Sequence, residues 1–126
     1  MEAGFGSSEP KKRDGGSNVM IRSVVTTSKA DEDIDEFIFY LAEQSLEVAA
    51  RFRDCVDKTF RHIAKMPELK PIHPFRHPLM KDVRIWAIDR FPNHLILYRI
   101  VKDRVEVVRI LHSSTNYMEI FESENI

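Results

Sequence analysis

Residues 84–112 constrain the fold most, because they form three runs of strand-forming residues separated by two short polar interruptions. The runs are rich in Val, Ile, Leu, Tyr and Trp, which fit a pleated, half-buried surface. The interruptions fall at residues 91–94 and 102–104. Pro92 presets the backbone angle of a turn, and Asn93 tolerates the unusual angles that follow. The pattern predicts a three-stranded antiparallel meander with turns at these two places.

The chain before residue 66 predicts one short strand and two helices. Residues 20–27 carry β-branched side chains and predict the strand. Ser28 suits the N-cap of a first helix that runs to about Gln44, and Ser45 suits the cap of a second helix over Leu46–Lys65. The connection is so short that the helices fold back as an antiparallel hairpin. We therefore predict an α+β fold, with an N-terminal helical hairpin packed on a small, largely antiparallel four-stranded sheet whose strand order stays open.

Residues 66–82 contain four prolines and predict a semi-rigid crossover loop between the second helix and the meander. His73 and His77 fall four apart in this loop. The prolines disfavour the helix that would bring both imidazoles to one face, and no third ligand accompanies them. We therefore predict no metal site here.

The two ends of the chain differ from its centre. Residues 1–19 are rich in Gly, Ser and charge, which predicts a disordered extension, either native or added by cloning, ahead of a single domain at 20–126. Residues 113–116 predict the start of a short terminal helix. Its inward-facing side chains would be Met118, Ile120 and Phe121.

The composition is that of a soluble globular protein, with 43% hydrophobic and 31% charged residues. Because the sequence has no apolar run of membrane-spanning length and no signal-peptide pattern, we expect a cytoplasmic protein that does not contact a membrane. The lone Cys55 has no intrachain partner for a disulfide, and its position predicts a small core residue on a helix.

Charge is divided along the chain. Residues 31–57 hold nine acidic and two basic side chains, whereas residues 58–109 hold twelve basic and five acidic ones. The basic half suits an acidic partner, either nucleic acid or an acidic protein segment. An ordinary solvated surface explains the same charges equally well.

The meander also carries a family resemblance. Its order is Arg84-x-Trp86, then Phe91-Pro92-Asn93-His94, Leu97-Tyr98-Arg99, and Val105-Glu106-Val107-Val108-Arg109-Ile110-Leu111-His112. This order resembles the C-terminal half of ParE-type toxins of the RelE/ParE superfamily, and the resemblance extends over about residues 21–121.

The resemblance implies the toxin of a type II toxin–antitoxin system of the plasmid-stabilisation kind. Such a toxin inhibits DNA gyrase by binding, needs no cofactor, and is neutralised in a hetero-oligomer with a ParD-like antitoxin. The C-terminal strand and tail are the expected target-facing part. The target-binding residues would be Arg84, Arg90, Arg99, Arg109 and His112.

The antitoxin of such a system docks in an apolar groove between the helical hairpin and the sheet. The first helix offers more aromatic surface than one core face needs, so part of this surface is expected to form the groove. The antitoxin-binding residues would be Phe37, Phe39 and Tyr40.

Two alternatives follow from the same resemblance. RelE-like members cleave mRNA on the ribosome, and here Arg109, His112 and Tyr117 would supply the cation and the acid/base pair. Residues 113–121 contain no Lys or Arg, however, where such nucleases carry basic residues. The chain also lacks the His-x-x-Arg-Asp pattern that many ParE-like toxins have after the last strand, so a non-toxic relative that only binds antitoxin is the second alternative.

The same residues also have structural interpretations. Arg109 suits an ion pair with a helix carboxylate. His112 suits a hydrogen bond to the backbone of the turn that follows the last strand. Trp86 and Tyr98 suit packing positions with a polar tip at the rim of the core.

Overall fold

The computed structural model describes residues 22–116, in which a four-stranded sheet carries two helices on one face. The elements are β1 (Ser23–Thr26), α1 (Ser28–Ala42), α2 (Leu46–Lys65), β2 (Arg84–Ile88), β3 (Phe91–Val101) and β4 (Arg104–His112). The predicted α+β class and the meander are confirmed. The predicted N-terminal extension and the inward-facing residues Met118, Ile120 and Phe121 lie outside the described residues. Residues 113 and 114 form a turn, and the rest of the predicted terminal helix, beyond residue 116, lies outside the described residues.

The strand order is β1-β4-β3-β2, which the sequence left open. The three meander strands are antiparallel, while β1 pairs parallel to β4. A parallel neighbour needs a long crossover connection, and here the whole helical hairpin lies between β1 and the meander. Within residues 22–116, neither helix is long and apolar enough to cross a membrane.

The first meander turn is not at residues 91–94, so the predicted position was wrong. β3 already begins at Phe91, which pairs with Ile88, and the turn consists of Asp89 and Arg90. Arg90 adopts φ 68°, the left-handed conformation that closes this short connection. The register between β2 and β3 shifts just before Ile88. Pro92 therefore lies in a bulge, where its missing N–H costs β2 no hydrogen bond.

The helix boundaries depend on two side-chain caps. The Ser45 hydroxyl accepts a hydrogen bond from the Val48 amide at 3.1 Å, and α2 has the predicted bounds. The predicted Ser28 cap was wrong, because Thr27 caps α1 by accepting from the Ala30 amide at 3.1 Å. α1 ends at Ala42, two residues earlier than the expected Gln44.

The helices bury one face of the sheet in what we call the helix-side core. Cys55 lies in this core, as predicted. Tyr98 is fully buried, and its hydroxyl donates to the Pro67 carbonyl at 2.7 Å, which confirms the predicted packing role with a satisfied polar tip. The large buried side chains of this core include Phe52, Val56, Phe60, Ile63, Ile96, Val105, Val107 and Ile110.

The crossover loop covers the opposite face of the sheet. Its Met80 and the following Val83 pack against strand residues in a second, loop-side core, whose other members are Leu97, Val108 and Leu111. Apart from a short 3-10 helix at Pro78–Met80, the loop has no helix, as the prolines predicted. Within residues 22–116 the sheet is thus covered on both faces, although both α-helices lie on one face.

A buried ion pair joins α1 to β4 beyond the end of β1. The Arg109 Nε and Nη2 atoms donate to the Asp33 carboxylate at 2.8 and 3.0 Å, and the Ile110 amide donates to the same carboxylate at 3.0 Å. The Thr27 hydroxyl donates to the Val108 carbonyl at 2.8 Å. Because β1 pairs with β4 only as far as Val107, side chains of α1 and its cap continue the hydrogen bonding of this strand edge.

We predict that Asp33→Ala destabilises the domain by about 3–5 kcal/mol, because it leaves a buried guanidinium and a buried amide without their acceptor. Urea denaturation followed by circular dichroism measures the loss. Asp35→Ala is the matched control, since Asp35 is an exposed carboxylate on the same helix. Equal stabilities of the two variants would contradict the importance of the pair.

Candidate partner-binding surfaces

The five residues predicted to contact the target do not form one surface. Arg84 shares the helix-side face with Trp86 and lies at the start of β2, where it pairs in register with Tyr98. His112 pairs with His94. Along β3, His94 lies four residues from Tyr98, a distance of about 13 Å. The other three members lie on the β2–β3 turn (Arg90), on the loop-side face (Arg99) and in the core (Arg109).

Two of the predicted arginines hold the crossover loop. The Arg84 Nη1 atom donates to the Lys70 carbonyl at 2.6 Å. The Arg99 Nη1 atom donates to the Leu79 carbonyl at 3.1 Å, while its Nε atom bonds the Glu106 carboxylate at 3.0 Å. Both side chains are partly buried. Each guanidinium therefore has a structural role in fixing the loop against the sheet.

Arg109 is 5% exposed and its guanidinium faces the Asp33 carboxylate. The structural interpretation of this arginine, an ion pair with a helix carboxylate, is confirmed. The same geometry bears on the nuclease alternative, because a guanidinium held in this pair is turned away from the surface. Tyr117, the third member of the predicted nuclease set, lies outside the described residues.

His112 caps the turn that follows β4. The Ser114 amide donates to its Nδ1 atom at 3.1 Å, and the Ser114 hydroxyl lies 2.9 Å from the same atom. The predicted backbone-bonding role is confirmed. Because a backbone N–H donates to Nδ1, the neutral ring carries its proton on Nε2. The Ser113 amide donates to the Asn93 carbonyl at 2.7 Å, which ties this turn to the start of β3.

His94 lies in an aromatic cage that the sequence analysis did not identify. Its ring centroid is 4.8 Å from that of Phe37, 5.2 Å from that of Phe52 and 5.1 Å from that of His112, each in edge contact. Its Nδ1 atom is buried and has no hydrogen-bond partner in the described part of the chain. Burial, with a smaller contribution from the charge of His112, lowers the pKa of His94 below its ordinary value of 6.5.

The alternation of side chains along β3 could have predicted that His94 faces the helices. Ile96 and Tyr98 belong to the helix-side core, and His94 precedes them by two residues. Alternating strand residues share a face, so the imidazole is carried towards the helices. Because residues 91–94 were predicted to form a turn, His94 was not placed on the same face as Ile96 and Tyr98.

The predicted antitoxin-binding residues divide between the core and the surface of α1. Phe37 packs against Phe52 with ring centroids 6.1 Å apart and is partly buried. Phe39 and Tyr40 are 69% and 59% exposed, and Leu46 at the start of α2 is 77% exposed. The tip of the helical hairpin therefore displays an apolar surface, which we call the hairpin-tip patch, formed by Phe39, Tyr40 and Leu46.

No group of three or more His, Cys, Asp or Glu side chains within residues 22–116 is arranged to hold a metal ion. His77 accepts a hydrogen bond from the Leu79 amide and caps the short 3-10 helix. His73 packs against Phe75, with ring centroids 4.4 Å apart. Both loop histidines thus have local structural contacts.

We predict that the domain loses stability as the pH falls below 6.5, and that His94→Phe reduces this loss. The unfolded chain takes up the His94 proton near the ordinary value of 6.5, whereas the folded chain takes it up only at lower pH. Urea denaturation between pH 7.5 and 5 measures the dependence. His62→Gln, which removes an exposed histidine of α2, is the control. An unchanged pH dependence in His94→Phe would contradict the assignment.

Comparisons with known proteins agree with this architecture. The family "ParE toxin of type II toxin-antitoxin system, parDE" matches residues 24–117. A solved structure entitled "Chromosomal ParDE TA system from P. aeruginosa" aligns with a TM-score of 0.59 at 18% identity, covering 75% of this chain and 98% of that chain. Because the two sequences are only 18% identical, this structural match supports the fold alone. No curated protein sequence matches the chain.

The family match begins at Val24, within β1, and extends beyond β4, so it includes both helices, β2, β3, β4 and all but the first residue of β1. The chain belongs to the ParE toxin family of type II toxin–antitoxin systems.

Proposed function

We propose that this chain is a toxin that binds and inhibits DNA gyrase, performs no hydrolysis of its own, and is neutralised by a ParD-like antitoxin. Membership of the ParE family supplies the class of protein. The observation that favours a binding mechanism over RNA cleavage is the burial of Arg109 in its ion pair with Asp33.

Cleavage of RNA without a metal needs a base for the 2'-hydroxyl, an acid for the leaving oxygen and a cation for the phosphate charge. Arg109 was the candidate cation, but Asp33 already accepts hydrogen bonds from two of its nitrogens. The Nδ1 atom of His112 accepts from the Ser114 amide, which leaves only Nε2 for chemistry. These contacts disfavour the RelE-like nuclease mechanism.

The target-facing surface in this proposal is the end of the sheet where β3 begins and β4 ends. Arg90 is exposed on the turn before β3, and the partly exposed His112 closes β4. The C-terminal residues continue from this end of the sheet, so Arg90, His112 and the tail can engage one partner. Arg84 and Arg99 are assigned to holding the crossover loop instead.

The antitoxin-facing surface in this proposal is the hairpin-tip patch. More than half of Phe39 and of Tyr40 is exposed to water. Contact of this apolar surface with water is unfavourable, and an apolar partner segment would remove it. Acidic side chains such as Asp35, Glu36 and Glu43 surround the patch on α1. An antitoxin segment with apolar anchors and basic flanks would complement both features.

We predict that the purified protein inhibits supercoiling by gyrase and traps cleaved DNA, and that antitoxin reverses both effects. Arg90→Ala combined with His112→Ala should raise the half-inhibitory concentration roughly tenfold, equivalent to about 1.4 kcal/mol of lost binding. Arg51→Ala is the control, because Arg51 is an exposed arginine on α2 whose guanidinium lies 3.6 Å from the Glu47 carboxylate of the same helix. If folded protein leaves gyrase unaffected but cleaves mRNA on ribosomes, the proposal is wrong.

We also predict that Phe39→Ser combined with Tyr40→Ser weakens antitoxin binding at least about 30-fold, since truncating buried interface aromatics costs about 2 kcal/mol or more. The free toxin should keep its stability within about 0.5 kcal/mol, because both side chains are exposed before binding. Isothermal titration calorimetry measures the affinity. Leu79→Ser, which alters an exposed apolar residue of the crossover loop, should bind antitoxin as the wild type does.

A further inference from the structure

The second half of α2 carries a row of basic side chains on its outer surface. Lys58, Arg61, His62 and Lys65 are spaced i, i+3, i+4 and i+7, which places them on one side of the helix. All four are exposed, while the alternate positions of this half, such as Phe60 and Ile63, are buried. We call this row the α2 basic row. In the first half of the helix, by contrast, exposed acidic and basic residues are mixed.

Two further cations lie on the elements that follow α2, namely Lys70 on the crossover loop and Arg84 on β2. The Lys70 Nζ atom lies 5.3 Å from the centre of the Trp86 ring, and Arg84 bonds the carbonyl of the same lysine. Residues 59–64 include no acidic side chain, whereas Asp54 and Glu68 are exposed about one turn beyond the two ends of the row. Asp89 lies 3.6 Å from Lys58 and holds the β2–β3 turn at the helix, and Asp57 is half-buried.

The helix dipole explains only part of the α2 basic row. A cation in the last turn interacts favourably with the helix C-terminus, which accounts for Lys65. The dipole effect falls off within one turn, so it does not account for Lys58 at seven residues before the end of α2. A linear array of exposed cations longer than the dipole requires is the electrostatic signature of a polyanion surface.

The α2 basic row contains no exposed large apolar side chain between Lys58 and Lys65. Protein interfaces take most of their binding energy from buried aromatic and apolar anchors, whereas a phosphate backbone requires only suitably placed cations. Single strands bind by stacking on open aromatic faces. Trp86 offers no such face, since it is partly buried and Lys70 lies over its ring.

We infer that the α2 basic row binds the phosphate backbone of double-stranded DNA. The row is about 10 Å long, a length over which duplex DNA carries about six charges. This inference deepens the proposed function and rests on it for its setting, because a gyrase inhibitor works beside the DNA that the enzyme holds. The toxin would then contact protein through the end of the sheet and DNA through α2.

The test is fluorescence anisotropy of a labelled 20-base-pair duplex at several salt concentrations, without gyrase. Wild-type protein should bind at low salt and lose affinity steeply as salt rises. Lys58→Gln combined with Arg61→Gln and Lys65→Gln should weaken binding at least about tenfold and lower the slope of log affinity against log salt by about 3. Lys81→Gln combined with Lys102→Gln and Arg104→Gln removes the same charge from exposed positions outside α2 and should retain the wild-type slope.

Two outcomes overturn the inference. One is equal binding and equal salt slope for the α2 variant and the wild type, with circular dichroism confirming that both are folded. The other is tighter binding of a poly-glutamate peptide than of a duplex of equal charge, which would assign the α2 basic row to an acidic protein segment. Failure of wild-type protein to inhibit gyrase, with duplex binding retained, would instead count against the proposed function and leave DNA binding by α2 standing.

Discussion

The Asp33 carboxylate is the contact on which the rest of the structure depends. It accepts hydrogen bonds from Arg109 and from the Ile110 amide, and it belongs to the first half of α1. β1 is only four residues long, so the second half of β4 has β3 on one side but no strand neighbour on the side of β1. One carboxylate therefore completes the edge of the sheet, neutralises a buried guanidinium and fixes α1 against β4. A charge in a core needs a partner of this kind.

The same contact bears on the nuclease alternative. An arginine on the last strand can stabilise phosphate charge only if its guanidinium reaches the surface. Here α1 supplies a carboxylate that holds Arg109 inside, so the side chain that resembles a catalytic group in the sequence is a structural one. Function in this fold depends on side chains placed on it, not on the fold itself. Within residues 22–116, the exposed groups that we propose for recognition are at the sheet end, the hairpin tip and α2.

The sequence predicted the elements well where local periodicity and capping chemistry determine them. The bounds of α2 followed from Ser45 and the apolar spacing, and the burial of Cys55 followed from its place on the apolar side of that helix. The turn before β3 was misplaced because Pro92 and Asn93 have turn propensity, whereas a bulge in the sheet accommodates them inside the strand. Propensity is local, but register is set by partners far along the chain.

For the same reason, the sequence predicted the fold but not how the candidate binding residues are arranged on it. Three of the predicted target-binding arginines lie near strand ends in the sequence, yet they occupy different parts of the structure. Strand alternation places Arg84 on the helix-side face and Arg99 on the loop-side face, while Arg90 lies in the β2–β3 turn. The exposure of Phe39 and Tyr40 agreed with the excess of aromatic residues on α1. The aromatic cage of His94 involves both helices and two strands, so only the assembled structure brings its members together.

The attachment of the crossover loop has a consequence for how this chain can vary. Three strand side chains, Tyr98, Arg84 and Arg99, donate to the backbone carbonyls of Pro67, Lys70 and Leu79. Every amino acid supplies a carbonyl, so these attachments do not depend on the identity of the loop residues. The loop can therefore exchange most of its outward side chains, and with them its recognition properties, while the strands keep it in place.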